Sequence, residues 1–148
     1  MKESSKAAIT NGLRVTKYTY DDLYTQMCCA EHERDAYVAY INGNFCSTLD
    51  DFYHEMSTAL RFPDYFGYNW AAFDECLCDL DWLKFSSLFI VIDYFDSVFS
   101  GYNTQESEIG LLIKYLNIAV KYWREQKIPI TVYLNYPDKK ALKSEYLM

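Results

Sequence analysis

Two short apolar runs, Ser87–Asp93 (SLFIVID) and Ile130–Asn135 (ITVYLN), constrain the fold of this chain more than any other feature. A strand with one face in water alternates apolar and polar residues, whereas a near-continuous apolar run is expected of a strand covered on both faces. Between the runs, 106–126 reads as one long helix, broken by Lys127-Ile128-Pro129 just before the second strand. Strand, helix and strand in that order make a parallel pair joined by a right-handed crossover. The fold class is therefore α/β.

The same alternation extends upstream. Residues 15–20 alternate as a short strand would, and 21–33 reads as a helix with Asp21 or Asp22 near its N-cap. Ala36–Asn42 is a strand ended by the Asn42-Gly43 turn signal. Residues 49–61 form an amphipathic helix, with Leu49, Phe52, Tyr53, Met56 and Leu60 on one face and Thr48 or Asp50 near its start. A loop spans 97–104. We expect a flexible polar start over 1–13, one domain over 14–136 and a loose polar tail over 137–148.

Composition narrows the function classes. With 148 residues and 51% hydrophobic content, one domain can bury roughly 70% of its unfolded surface without metal or disulfide help. A net charge of −7 disfavours nucleic acid and anionic membrane as direct partners, because both call for positive charge. The start MKESSKAAIT has no apolar h-region, and no apolar stretch reaches about 18 residues. Five cysteines, with Cys28 and Cys29 adjacent, do not read as a secreted disulfide framework. Cys76-x-Cys78 has no second ligand pair and no nearby His, so no zinc is expected. The cytoplasm is the expected compartment.

Residues 63–82 (PDYFGYNWAAFDECLCDLDW) carry the clearest functional signal. They hold Asp64, Asp74, Glu75, Asp79 and Asp81, six aromatic residues and no Lys or Arg. Pro63 and Gly67 mark a loop, and Asn69 suits the N-cap of a helix over 70–80. Phe73, Cys76, Leu77 and Leu80 share one face of that helix, extended by Trp70. The other face holds Ala71, Asp74, Glu75, Cys78, Asp79 and Asp81. Asp79 and Asp81 would then lie in the last turn, where the helix dipole disfavours negative charge by about 0.3–1 kcal/mol each. Glu75 and Asp79 would form a like-charge i,i+4 pair. Local stability alone would select other residues, so the surface reads as one made for a strongly basic pocket.

Catalysis finds little support. The two histidines, His32 and His54, are in no metal-ligand spacing, and no GxSxG, GxGxxG or Walker loop occurs. Asp74 and Glu75 are adjacent and point about 100° apart on a helix, which suits shared acid–base work poorly. Cys46, Cys76 and Cys78 have no activating base nearby in sequence. We expect no enzyme activity, cofactor or metal.

The run 40–82 resembles the barstar family, small bacterial inhibitors of an extracellular ribonuclease. The resemblance rests on Ile41-Asn42-Gly43, on Thr48-Leu49-Asp50-Asp51-Phe52, and on the loop Pro63-Asp64-Tyr65-Phe66-Gly67-Tyr68-Asn69. Ala72, Phe73, Glu75 and Leu77 continue it, and a weaker match in the same order runs over 88–134. It implies a small three-stranded parallel sheet packed by helices. The segment 14–35 would be an addition, able to supply an edge strand and a helix. It further implies a cytoplasmic immunity protein whose acidic helix blocks the basic active-site cleft of a cognate toxin.

On that resemblance Glu75 takes the central contact, Tyr65 the loop aromatic that packs on the enzyme, and Asn69 the helix-start Asn. The toxin-binding set is Tyr65, Phe66, Tyr68, Asn69, Asp74, Glu75, Cys78, Asp79, Asp81 and Trp82. Ala71 stands where the archetype has an acidic residue and Asp74 where it has a Trp. The segment after Leu77 is about two residues longer, and the archetype's acidic contact on the last helix has no counterpart near Tyr122 to Glu125. These departures shift the acidic cluster toward Asp74, Asp79 and Asp81. The implied target is a ribonuclease unlike the archetypal one, or another toxin domain with a basic cleft such as an ADP-ribosyltransferase. A regulatory interaction module with no toxin partner is the other reading.

Overall fold

A computed structural model describes residues 12–137; of the expected loose ends over 1–13 and 137–148, residues 1–11 and 138–148 lie outside the described residues, while Leu13 is buried in a strand. The elements are β1 (Leu13–Thr16), α1 (Tyr20–Glu31), β2 (Ala36–Asn42), α2 (Leu49–Leu60), α3 (Trp70–Leu77), β3 (Ser87–Asp93), α4 (Gln105–Glu125) and β4 (Ile130–Asn135). Single 3-10 turns follow β2 and β3.

The sheet has four strands, not three, in the order β1-β4-β3-β2, and every neighbouring pair is parallel. The fourth strand comes from the N-terminal segment and pairs with β4, Leu13 opposite Val132 and Thr16 opposite Asn135. It starts and stops earlier than the alternation over 15–20 predicts. The backbone N–H of Tyr18 is taken by the Asn135 side chain at 2.8 Å, and Thr19 caps α1 by accepting from the Asp22 N–H. The first strand residue, Leu13, is fully buried.

Both faces of the sheet are covered. On the front, Leu13, Ala39, Ile41, Ile90, Ile92, Val132 and Leu134 join the buried faces of α2, α3 and α4 in one core. On the rear, Phe89 and Val91 of β3 pack against Leu23 of α1, with Val38, Met27, Ala30, Tyr18 and Tyr133 around them. The run Ser87–Asp93 is apolar because β3 meets helices on both sides. β4 is different: Ile130, Val132 and Leu134 are buried while Thr131 and Tyr133 are only half so.

The carboxyl ends of the strands share a buried polar network. Asp93 and Asn135 are the buried polar residues among the described ones. The Tyr40 hydroxyl donates to Asp93 Oδ2 at 2.7 Å, while the Tyr94 N–H and the Asn135 Nδ2 each donate to Oδ1 at 2.9 Å. Asn135 Oδ1 accepts from the Thr16 hydroxyl at 2.7 Å, so one carboxamide ties β1 and β4 to β3. Burial, then the Asp93 carboxylate, holds the Tyr40 phenol well above its ordinary pKa. Gly43 lets β2 turn here, since a Cβ would strike the carbonyl oxygens of Tyr94 and Asp93.

Asn135→Ala should leave buried groups unpaired, each at about 1–3 kcal/mol. Native-state hydrogen exchange should then show faster exchange at the β1–β4 pairing while β2–β3 stays protected. Equal protection of both pairs would mean the carboxamide does not hold β1.

Candidate functional site

The chain between α2 and β3 is fixed at both ends by helix termini. Arg61 ends α2 in the left-handed region (φ 57°). The Trp82 indole N–H donates to the Leu60 carbonyl at 3.0 Å, and the Trp123 indole N–H to the Leu77 carbonyl at 2.9 Å. Carbonyls at helix ends have no partner within the helix, so the two indoles supply one to each. Asn69 is the N-cap of α3 as expected: its Oδ1 accepts from the Ala72 N–H at 2.8 Å and its Nδ2 donates to the Gly67 carbonyl at 3.1 Å. Tyr68 beside it takes φ 53°.

The helix ends at Leu77, three residues before the predicted end. Cys78 is its C-cap, and Leu80, in the left-handed region (φ 50°), turns inward to full burial. Asp79 and Asp81 therefore stand on the turn after α3 rather than in its last turn. The dipole conflict and the Glu75–Asp79 helical pair predicted for them do not arise. Burial of Leu80 sets this geometry, a tertiary cause that outranks the local helical pattern.

Tyr65 is 73% exposed, and Asp64, Tyr68, Asn69, Glu75, Asp79 and Asp81 are exposed with it. The Tyr65 phenol is held above its usual pKa, first by desolvation and then by Cys76 and the carboxylates of Asp79, Asp81 and Glu75. Loop aromatic and acidic turn are thus within electrostatic reach of one another. Asp74 occupies a different flank, in the row Trp70, Asp74, Cys78, where the Cys78 thiol donates to Asp74 Oδ1 at 3.9 Å. Asp74, Cys78 and Trp82 are half-buried. Phe66 is only 8% exposed, its ring 4.9 Å from Phe62 and 5.8 Å from Tyr53. It holds the loop from beneath and presents almost no contact area.

Rigid aromatic packing supports this surface. Phe52, Tyr53, Trp70 and Phe73 meet with ring centroids 5.5–6.5 Å apart. Trp70 also stacks on Tyr115 of α4 at 5.5 Å and 13°. Sequence reasoning missed Tyr115 and Trp123, because a helix read by itself does not show which neighbour its aromatics reach.

Charge at the site is uncompensated. Among the described residues the one ion pair is Arg34–Asp35, so none of the five acidic residues of 63–82 has a cationic partner among them. The thiols are poor nucleophiles: burial and then Asp74 push Cys78 up to about 11, while burial, then Glu55 and Asp51, push Cys46 up to about 12. Cys76 is raised by burial and then by Asp79 and Glu75. His54 Nδ1 lies 3.4 Å from the Tyr68 hydroxyl, on the surface. Among the described residues no three His, Cys, Asp or Glu side chains group to hold a metal, and no helix is long and apolar enough to cross a membrane. The arrangement can bind a basic surface.

Two outcomes check this geometry. Phe66→Ala should cost about 3–5 kcal/mol of stability, while Tyr65→Ala leaves the thermal midpoint unchanged. Similar midpoints for the two variants would contradict the burial difference. Raised thiol pKa values favour the folded state fully below pH 9, the ordinary thiol value, and less as pH climbs toward 11 and 12. Alkylation of folded Cys78 should accordingly stay slow at pH 8 and accelerate only as pH approaches 11; rapid labelling at pH 8 would show an activated thiol.

No curated protein matches the chain. Residues 36–135 match the family model described as Barstar (barnase inhibitor). The matched span runs from the first residue of β2 to the last of β4 and contains the loop, α3 and its acidic turn. It leaves β1 and α1 outside. By a match that covers well over half its length, and by the parallel sheet and helices inside that span, the chain belongs to the barstar family, whose members are ribonuclease inhibitors and not enzymes.

Proposed function

We propose that this protein is a cytoplasmic immunity protein that binds a cognate toxin, a ribonuclease, and blocks its basic active site with the loop–α3 surface. One observation carries the reading: exposed Tyr65 feels the carboxylates of Asp79, Asp81 and Glu75, and among the described residues no cation pairs with any of them. A ribonuclease binds a polyanion, so its active site is lined with positive charge. Carboxylates on a rigid support take the phosphate positions and exclude RNA, and attraction between opposite potentials speeds association.

The support is preorganised. Asn69 caps the helix, the two indoles fix helix ends, and Phe66 pins the loop, so little side-chain and loop ordering is left to oppose binding. Ala71 and Asp74, which depart from the archetype, favour a second reading in which the target is a different toxin domain with a basic cleft, such as an ADP-ribosyltransferase.

The test is inhibition of a panel of small basic bacterial ribonucleases that includes barnase. At least one should be inhibited stoichiometrically, with Glu75→Ala and Asp79→Ala each weakening binding by about tenfold, equivalent to about 1.4 kcal/mol. Inhibition of none, together with inhibition of a basic ADP-ribosyltransferase domain, would transfer the reading to the second target class. Between 0.1 M and 1 M salt, where the Debye length falls from about 10 Å to about 3 Å, the on-rate should drop markedly and the off-rate change less. A salt-independent on-rate would point to an apolar interface instead.

A further inference from the structure

The outer surface of α4 carries apolar area that the core does not use. Three of the nine large hydrophobic residues exposed among the described ones, Leu111, Ile118 and Tyr122, stand on this helix at 36%, 39% and 37% exposure. With half-buried Tyr115 they fall at successive offsets of 4, 3 and 4, which makes one continuous stripe along the helix. Exposed apolar side chains scattered singly need no explanation, whereas a contiguous stripe marks an interaction surface.

The stripe borders the acidic face. Tyr115 stacks on Trp70, and Trp123 donates to the Leu77 carbonyl, so α3 and α4 are clamped side by side. Trp70, Asp74 and Cys78 form the flank of α3 on that side, at offsets of 4. On the far side of the stripe, Lys114 and Lys121 recur seven residues apart, and Lys114 Nζ lies 5.5 Å from the centroid of the Tyr115 ring. Neither lysine is in an ion pair among the described residues. Across the surface the order is therefore negative, apolar and then mixed, because exposed Glu125 stands one turn beyond Lys121.

We propose that the α4 stripe is the apolar half of the partner-binding surface, and that the partner carries an apolar patch beside its basic cleft. The proposal rests on the reading of the loop–α3 face as the docking surface for a basic ribonuclease. The occupant is that same ribonuclease, because the stripe is continuous with that face through the Trp70–Tyr115 stack and the clamp of α3 on α4. Carboxylates speed encounter, while a desolvated apolar patch slows release.

The experiment uses the full chain and the panel ribonuclease that it inhibits. Association and dissociation rates are measured at 0.1 M and 1 M salt for wild type, Ile118→Asp, Tyr122→Ala and Glu75→Ala. Ile118→Asp should weaken binding by at least about tenfold, through the off-rate and to a similar degree at both salts. The Glu75→Ala defect should lie largely in the on-rate and shrink at 1 M. Both α4 positions are exposed, so their thermal midpoints should stay near wild type, and Tyr122→Ala serves if Ile118→Asp fails to fold. Wild-type binding by both α4 variants, with Glu75→Ala weakened, would remove the stripe from the interface and leave the docking reading standing. Inhibition of no ribonuclease, or no loss in any variant, would overturn both. A wild-type dimer in sedimentation velocity that Ile118→Asp converts to monomer would assign the stripe to self-association and overturn the proposal.

Discussion

Everything in this fold depends on burying β3 from both sides. Its front residues, Leu88, Ile90 and Ile92, need the helical layer of α2, α3 and α4, and its rear residues, Phe89 and Val91, need α1. At about 25 cal/mol per Å² of apolar surface, a Phe and a Val left in water are costly. Family membership covers 36–135 and so accounts for the front layer. The rear cover comes from outside that span, which makes the N-terminal segment part of the domain and not an appendage.

The acidic surface depends on the same core at one remove. α3 is only eight residues long, well below the length at which an isolated helix is stable. It persists because Phe73 and Leu77 are buried beneath it, Asn69 caps it, and the Trp123 indole from α4 takes its last carbonyl. The carboxylates can be arranged without regard to local helix stability because tertiary contacts hold the backbone. Uncompensated charge is tolerated on that scaffold.

The strands β2, β3 and β4 and all four helices were legible from periodicity and punctuation, since each rests on residues adjacent in sequence. What escaped was set from a distance. β1 ends where it does because a carboxamide 119 residues further on meets Thr16, and α3 ends at Leu77 because Leu80 turns into the core. The electrostatic link of Tyr65 with Glu75, Asp79 and Asp81 was within reach because all four fall inside one short run. Phe66 was not, because the loop has no period to separate it from Tyr65, and only Phe62 and Tyr53 decide that its ring points inward. The stripe on α4 was hidden in a helix whose apolar residues look like core until the neighbouring helices are in place.

The pairing of β1 with β4 has a consequence for biosynthesis. The first strand of the described chain finds its only strand partner in the last, Leu13 against Val132 and Thr16 against Asn135. Contacts this distant in sequence form late and slow folding, because the intervening loop must close before they contribute. On a translating ribosome, Leu13 and Val15 emerge well before Val132 and Leu134, the residues they pair with. The sheet cannot be completed before β4 has emerged, and until then the nascent N-terminal strand is open to pairing with other chains.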